Sequence, residues 1–263
     1  MLRRIIPVQF DLAAKNGRTK PSFVTCEADD DERIEVVAKF SAGCDQGNIN
    51  LAREVLGACL AGDLGLPVPE PFLIDVDREW ALTIQDEARQ SAILRSSPVA
   101  FGSRTLVGQF GIWGPGSWIT DIMLPVAAGI FVFDAVIQNP DRRTENPNCL
   151  VRGDQVRIFD HELAFSHQLV IGWRPPWQPG SLRTLEHNGN HIFRDGLRRR
   201  EIDFEGIRDA WGRLSDAQIA DYEAAIPAEW HDAKESVAAS IELIKGARDN
   251  IDAVLEEVRR VLA

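Results

Sequence analysis

Residues 134–162 read DAVIQNPDRRTENPNCLVRGDQVRIFDHE, and they hold the side chains best suited to chemistry. Asp141 is followed five positions later by Asn146, and a second aspartate, Asp160, closes an apolar run beyond a turn. One carboxylate can accept or orient the proton of a hydroxyl. The Asn146 amide oxygen and the Asp160 carboxylate are hard oxygen donors of the kind Mg²⁺ takes. Transfer of a phosphoryl group from a nucleoside triphosphate needs such a set: a placed nucleophile beside a cation that neutralises charge. Alone, each residue is a common turn former. Context argues for function. An uncharged helix delivers Asn139-Pro140-Asp141-Arg142, and a hairpin returns Asp160 at a strand end, a rigid place for a metal ligand.

Lys39 is the natural fourth member. It ends a mostly buried strand, where an unpaired ammonium is costly, and a phosphate together with a helix carboxylate would satisfy it. Glu54, one turn into the next helix, is the best candidate partner; the bland alternative is an edge lysine reaching water. The loop at 14–21 could then lie over the phosphates, with Gly17 allowing close backbone approach, though an ordinary hairpin loop reads equally well. His161 and Glu162 could orient Asp160 or help hold magnesium. His187 and His191 have the spacing of a metal pair, but Asn188 and Gly189 between them argue for a turn.

The elements that must carry these residues follow from composition and pattern. A chain of 263 residues, 44% hydrophobic and 26% charged, can build one large domain or two small lobes. The first 40 residues read as a three-strand meander: IIPVQFDL, SFVTCEA and RIEVVAKF, separated by turn-forming clusters. In the third run Ile34, Val36, Ala38 and Phe40 face one way, Val37 and Lys39 the other. A helix follows, with Asn48 or Asn50 as N-cap and a stripe of Leu51, Val55, Leu56 and Leu60. PFLIDV and EWALTI read as further strands, the segment at 85–97 as exposed, and VAFGSRTLVGQF as extended. Then come a helix at about 121–138, the Asp141 loop, and strands NCLV and VRIFD. WRPPWQPG is too rich in proline to be regular and reads as a functional or packing loop. Val237, Ile241, Ile244, Ile251, Val254, Leu255, Val258 and Leu262 make an amphipathic stripe expected to pack on its own domain.

A net charge of −11 disfavours bulk nucleic acid or an anionic membrane as partner. Arg198, Arg199 and Arg200 read as a solvated helix face before a phosphate site. Four scattered cysteines with no CxxC pair support neither zinc nor a disulfide framework, so a cytoplasmic setting is the default. The longest uncharged stretch, Ile122–Phe133, is too short to span a bilayer.

The text NPDRRTENPNCL followed by VRIFDHELAF resembles the HipA-like kinases, a branch of the protein-kinase-like fold that is also similar to phosphatidylinositol 3- and 4-kinases around the active site. VVAKF and NLAREVLGACLAGDLGLPVPEP are similar to that family's lysine strand and glutamate-bearing helix. The resemblance spans roughly residues 10–200. It implies Asp141 as catalytic aspartate, Asn146 and Asp160 as Mg²⁺ ligands, Lys39 binding the phosphates of ATP, and Val37 covering the adenine. Two departures stand out: Arg143 replaces a histidine that often follows Asp-Arg, and no DFG-type glycine follows Asp160. The chain is also shorter than the full-length toxins of the family, so neither toxin activity nor a HipB-like antitoxin partner is implied.

The expectation is an α+β, two-lobed protein-kinase-like fold. Residues 1–97 form an antiparallel β lobe with one helix, and residues 98–263 a larger, mainly helical lobe. The expected activity is Mg-ATP-dependent phosphorylation, of Ser or Thr in a protein substrate. Its rivals are AMP transfer on the same fold and a catalytically inactive nucleotide-binding scaffold.

Overall fold

β-branched and aromatic runs at the start of the chain form strands where the pattern places them. The structure is a computed structural model, and it describes residues 2–14 and 17–263. Strands β1 (Arg3–Ala13), β2 (Ser22–Glu27) and β3 (Arg33–Lys39) are antiparallel neighbours. They are joined by β4 (Pro71–Asp75) and β5 (Val99–Arg104) into a closed barrel of order β1-β2-β3-β5-β4. The barrel is not purely antiparallel, because β1 and β4 run parallel; closure removes the edges that an open sheet would expose. Its interior holds Ile5, Val24, Ile34, Val36, Phe72 and Ile74. Gly102 on β5 faces Ile74 so closely that a Cβ there would lie 2.9 Å from Cδ1.

Three helices, not one, accompany this sheet in sequence: α1 (Asn48–Asp63), α2 (Arg78–Leu82) and α3 (Glu87–Leu94). The run EWALTI, expected as a strand, lies largely in α2. Trp80 and Ala81 are adjacent and both buried, which strand alternation forbids and a helical turn allows. The stretch at 85–97 contains α3, started by the Asp86 side chain, which accepts hydrogen bonds from the amides of Ala88 (3.0 Å) and Arg89 (3.1 Å).

The chain divides into two compact units that interleave in sequence. The first comprises Met1–Cys59, Pro69–Val107 and Asp221–Val237; the second comprises Leu60–Val68, Gly108–Ala220 and Ala238–Ala263. The segment 221–237 reaches the first unit through Trp230, a buried residue whose indole N–H donates to the Val99 carbonyl at 3.1 Å.

In the second unit, β6 (Gly111–Ile112), β7 (Cys149–Arg152) and β8 (Gln155–Ile158) make a small antiparallel sheet. Helix α4 (Leu124–Ile137) is buried from Ala127 to Ile137. The later helices are α5 (Arg194–Leu197), α6 (Glu205–Gly212), α7 (Asp216–Ala224), α8 (Lys234–Asp249) and α9 (Ile251–Leu262). Every residue of the C-terminal apolar stripe is buried within the chain. The proline-rich loop packs: Trp177 lies against Gly246 of α8, and the Gly180 amide donates to Glu257 of α9 at 2.8 Å. The three consecutive arginines are not a helix face. Helix α5 ends at Leu197, Arg199 is left-handed with φ 59°, and Arg200 pairs with Asp121. No helix among the described residues is long and apolar enough to cross a membrane.

Candidate active site

Helix α4 ends at a left-handed Gln138 (φ 55°, ψ 46°), which turns the chain into Asn139-Pro140-Asp141. Asp134, the one charged residue in this apolar helix, anchors the loop. Its carboxylate accepts from Arg142 Nε at 2.6 Å and Nη2 at 3.3 Å, from Asn139 Nδ2 at 2.9 Å, and is 3.1 Å from His191 Nε2. Asp134, Arg142 and His191 side chains are all 0% exposed. Burial by itself would raise the Asp134 carboxyl. The field of Arg142 and the bonds from His191 and Arg142 overcome it, holding the group well below the usual carboxylate range. Burial pushes the His191 imidazole below its ordinary value, against the pull of Asp134, and the Phe131 ring sits edge-on to it at 4.7 Å.

Arg142 also reaches outward from this anchor. Its Nη1 donates to the Asn148 carbonyl at 2.5 Å and to the Phe159 carbonyl at 3.2 Å. One guanidinium therefore fixes both the loop that carries Asp141 and the strand end that carries Asp160. The segment around His191 adds support: the Thr144 amide donates to Gly189 at 2.9 Å and the Ile192 amide to Arg142 at 3.1 Å.

Asp141 sits on this frame with its backbone amide bonded to Asn139 Oδ1 at 3.1 Å. Its carboxylate accepts from Asn146 Nδ2 at 2.7 Å and Asn148 Nδ2 at 3.2 Å. Arg143 Nε lies 3.9 Å from the same carboxylate. Asn146 is held by a tight turn, exchanging backbone hydrogen bonds with Arg143 at 3.0 and 3.2 Å. Asn148 (φ 43°) and Asp160 (φ 63°) are left-handed, a sparsely populated conformation for residues with a side chain and one concentrated at functional sites. A carboxylate oxygen of Asp160 and one of Glu162 lie within 4.8 Å of each other. These donors fit a hard divalent cation, being carboxylate and amide oxygens. The neighbouring Cys149 thiol, pushed up to about 12 by burial, stays protonated and is unsuited to metal or nucleophilic work.

The remaining expected residues belong to the first unit. The Lys39 ammonium pairs with the Glu54 carboxylate, the two side chains being 9% and 2% exposed. Val37, two before the lysine on β3, is half-buried. Gly17 has φ 112°, and a Cβ there would meet Pro21 at 2.9 Å, so the turn needs glycine. That turn is tied down: the Lys20 amide donates to Gly17 at 3.1 Å, and Arg18 pairs with Asp45 at 3.0 Å. Asp141, Asn146 and Asn148 thus form one hydrogen-bonded group and Lys39 with Glu54 an ion pair, while the Asp160 and Glu162 carboxylates lie close together.

Sequence reasoning missed the anchor of Asp134, Arg142 and His191. The signal was present, since a lone aspartate in an otherwise uncharged helix must have a partner.

Among curated proteins there is no match to the chain. Among solved structures, 15 chains match it. One is the crystal structure of CtkA, a proinflammatory kinase of Helicobacter pylori, at a TM-score of 0.50 and 14% identity over 98% of this chain and 98% of that one. At that identity the likeness is one of fold, a mixed α/β architecture shared with a kinase. The model of the HipA-like kinases matches residues 11–260. On that match the chain belongs to the HipA-like kinase family.

Proposed function

We propose that the protein transfers the γ-phosphoryl group of Mg²⁺-ATP to a Ser or Thr hydroxyl of a protein. The observation that carries this reading is the Asp141 carboxylate, bridged by the amides of Asn146 and Asn148 on a loop that Arg142 ties to the residue before Asp160. A carboxylate so placed can orient a hydroxyl and take its proton, while the buried anchor spares it from reorganising as the reaction proceeds. Asn146 and Asp160, with Glu162 beside the latter, would hold the magnesium. When bound, the cation supplies neutralisation of phosphate charge. Lys39, oriented by Glu54, would contact phosphate oxygens. Val37 would cover the base, and the Gly17 turn would lie near the phosphates.

The test is calorimetric titration of ATP with and without Mg²⁺, joined to intact-mass analysis of a protein acceptor. Asp141→Asn should lower turnover ~10²–10⁴-fold while nucleotide still binds. Asp160→Ala should lose the Mg²⁺-dependent part of binding. Binding of Mg-ATP by Asp160→Ala as tight as wild type would remove the metal assignment. An adduct with the mass of AMP in place of phosphate would replace the reaction.

A further inference from the structure

We infer that His191 is a positioning residue for the transfer proposed above: as a neutral imidazole protonated on Nε2, it holds the turn that keeps Asn146 against the Asp141 carboxylate. The inference rests on that reading of Asp141 and adds a residue on which the reaction depends.

The two ring nitrogens have partners of opposite kind. The Phe193 amide donates to Nδ1 at 3.1 Å, and a backbone N–H can only donate, so Nδ1 carries its lone pair. Nε2 lies 3.1 Å from Asp134 Oδ2; this carboxylate, ionised despite its burial because of Arg142, can only accept, so Nε2 carries the proton. The other tautomer sets donor against donor at Nδ1 and acceptor against acceptor at Nε2. The imidazolium keeps the second bond and forfeits the first. Of the influences on the ring, burial is the largest and opposes the cation, Asp134 of α4 favours it, and Arg142 opposes it; the neutral form prevails. The Phe131 and Phe193 rings lie against the imidazole, and the residue is 2% exposed.

From the ring the hold passes to the loop through the backbone. Beside His191, the Ile192 amide donates to the Arg142 carbonyl at 3.1 Å. Two residues before it, the Gly189 carbonyl accepts from the Thr144 amide at 2.9 Å, at a turn where glycine takes φ 84°. These bonds grip the loop on either side of Arg143, whose backbone pairs with Asn146. Asn146 Nδ2 then donates to Asp141 at 2.7 Å. The segment is braced at its far end by Arg194, whose Nη1 donates to Asn188 Oδ1 at 2.7 Å. A reacting group misplaced by ~1 Å can cost ~10²-fold in rate, so a residue that touches no reactant can still set turnover.

The experiment uses the whole chain and substitutions of the ring. Nitrogen NMR of labelled imidazoles at neutral pH should show His191, identified by its loss in His191→Gln, with Nδ1 bare and Nε2 protonated. For ADP release from Mg²⁺-ATP with a Ser-rich peptide as acceptor, His191→Leu should lower kcat at least about tenfold and move KM for Mg²⁺-ATP less than about threefold. The Asn146 side-chain amide signal should shift in the same variant. His191→Gln, whose amide brings both a donor and an acceptor, should recover part of the loss. The opposite tautomer, a wild-type kcat in His191→Leu, or a KM that rises as much as kcat falls would each overturn the inference. So would a His191→Gln protein no better than His191→Leu. If wild type releases no ADP, phosphoryl transfer fails, and the Asn146 signal judges the positioning by itself: unmoved in His191→Leu, it overturns that too. If His191→Leu does not fold, the tautomer and the Asn146 shift in His191→Gln decide.

Discussion

Arg142 is the residue on which the loop geometry turns. Its fully buried guanidinium meets Asp134, Asn148 and Phe159. Removing one partner of a buried pair leaves an uncompensated charge, at a cost of roughly 3–5 kcal/mol. Arg142→Met should therefore lower the urea midpoint sharply. Changing Asp134 to Leu as well should recover part of the loss, because both charges are then gone. A single variant as stable as wild type would show that the anchor contributes nothing. Asp141, Asn146 and Asp160 could be singled out from the sequence as candidates because they sit on half-buried turns and just beyond a strand end, which turn formers mark. Arg142 stands in the same motif, but its task cannot be read there. Its role depends on Asp134, eight residues back, and on carbonyls that carry no sequence identity.

At the scale of elements, long patterned segments were readable and short ones were not. The meander follows its alternation and α4 its long uncharged run, whereas α2 spans only Arg78–Leu82, and five residues cannot display a period. Barrel closure by the parallel β1–β4 pair leaves no local mark either, since both strands look the same whichever way they pair. The packing of the proline-rich loop leads to a direct test. In α8, a Cβ at Gly246 would lie 2.5 Å from the Trp177 ring. Gly246→Val should displace the indole and cost ~1–3 kcal/mol, seen as a lowered melting temperature and altered tryptophan fluorescence. An unchanged melt would mean that the loop does not need the helix. The loop of Asp141 and the segment of His191 are likewise coupled. Because burial depresses the His191 pKa, the unfolded chain takes up a proton near its ordinary value, ~6.5, before the folded chain does. Stability from this group is complete above that pH and falls as pH drops, by up to ~1.4 kcal/mol per unit. Asp134 acts in the same direction at lower pH: its contribution is complete above ~3.9 and is lost as pH falls toward its depressed value. Urea midpoints measured from pH 7 to 5 should decline in wild type and decline less in His191→Gln. Parallel curves would sever the link.

For the whole molecule, the sequence reading places a single boundary near residue 98, while contacts gather Asp221–Val237 with the first unit. No composition shift announces such a return, since Trp230 could as well be buried among its sequence neighbours. A fragment of residues 1–107 should then be poorly folded, with Val99 deprived of the Trp230 indole. A synthetic 221–237 peptide added in trans should restore part of its melting cooperativity. A cooperative melt of the fragment alone would show that the segment is dispensable.

During synthesis, then, the strands of the β-barrel leave the ribosome long before the segment that completes their unit. The barrel must stay uncapped while more than a hundred further residues are translated, which makes that interval the time when the nascent chain most needs shielding from its neighbours.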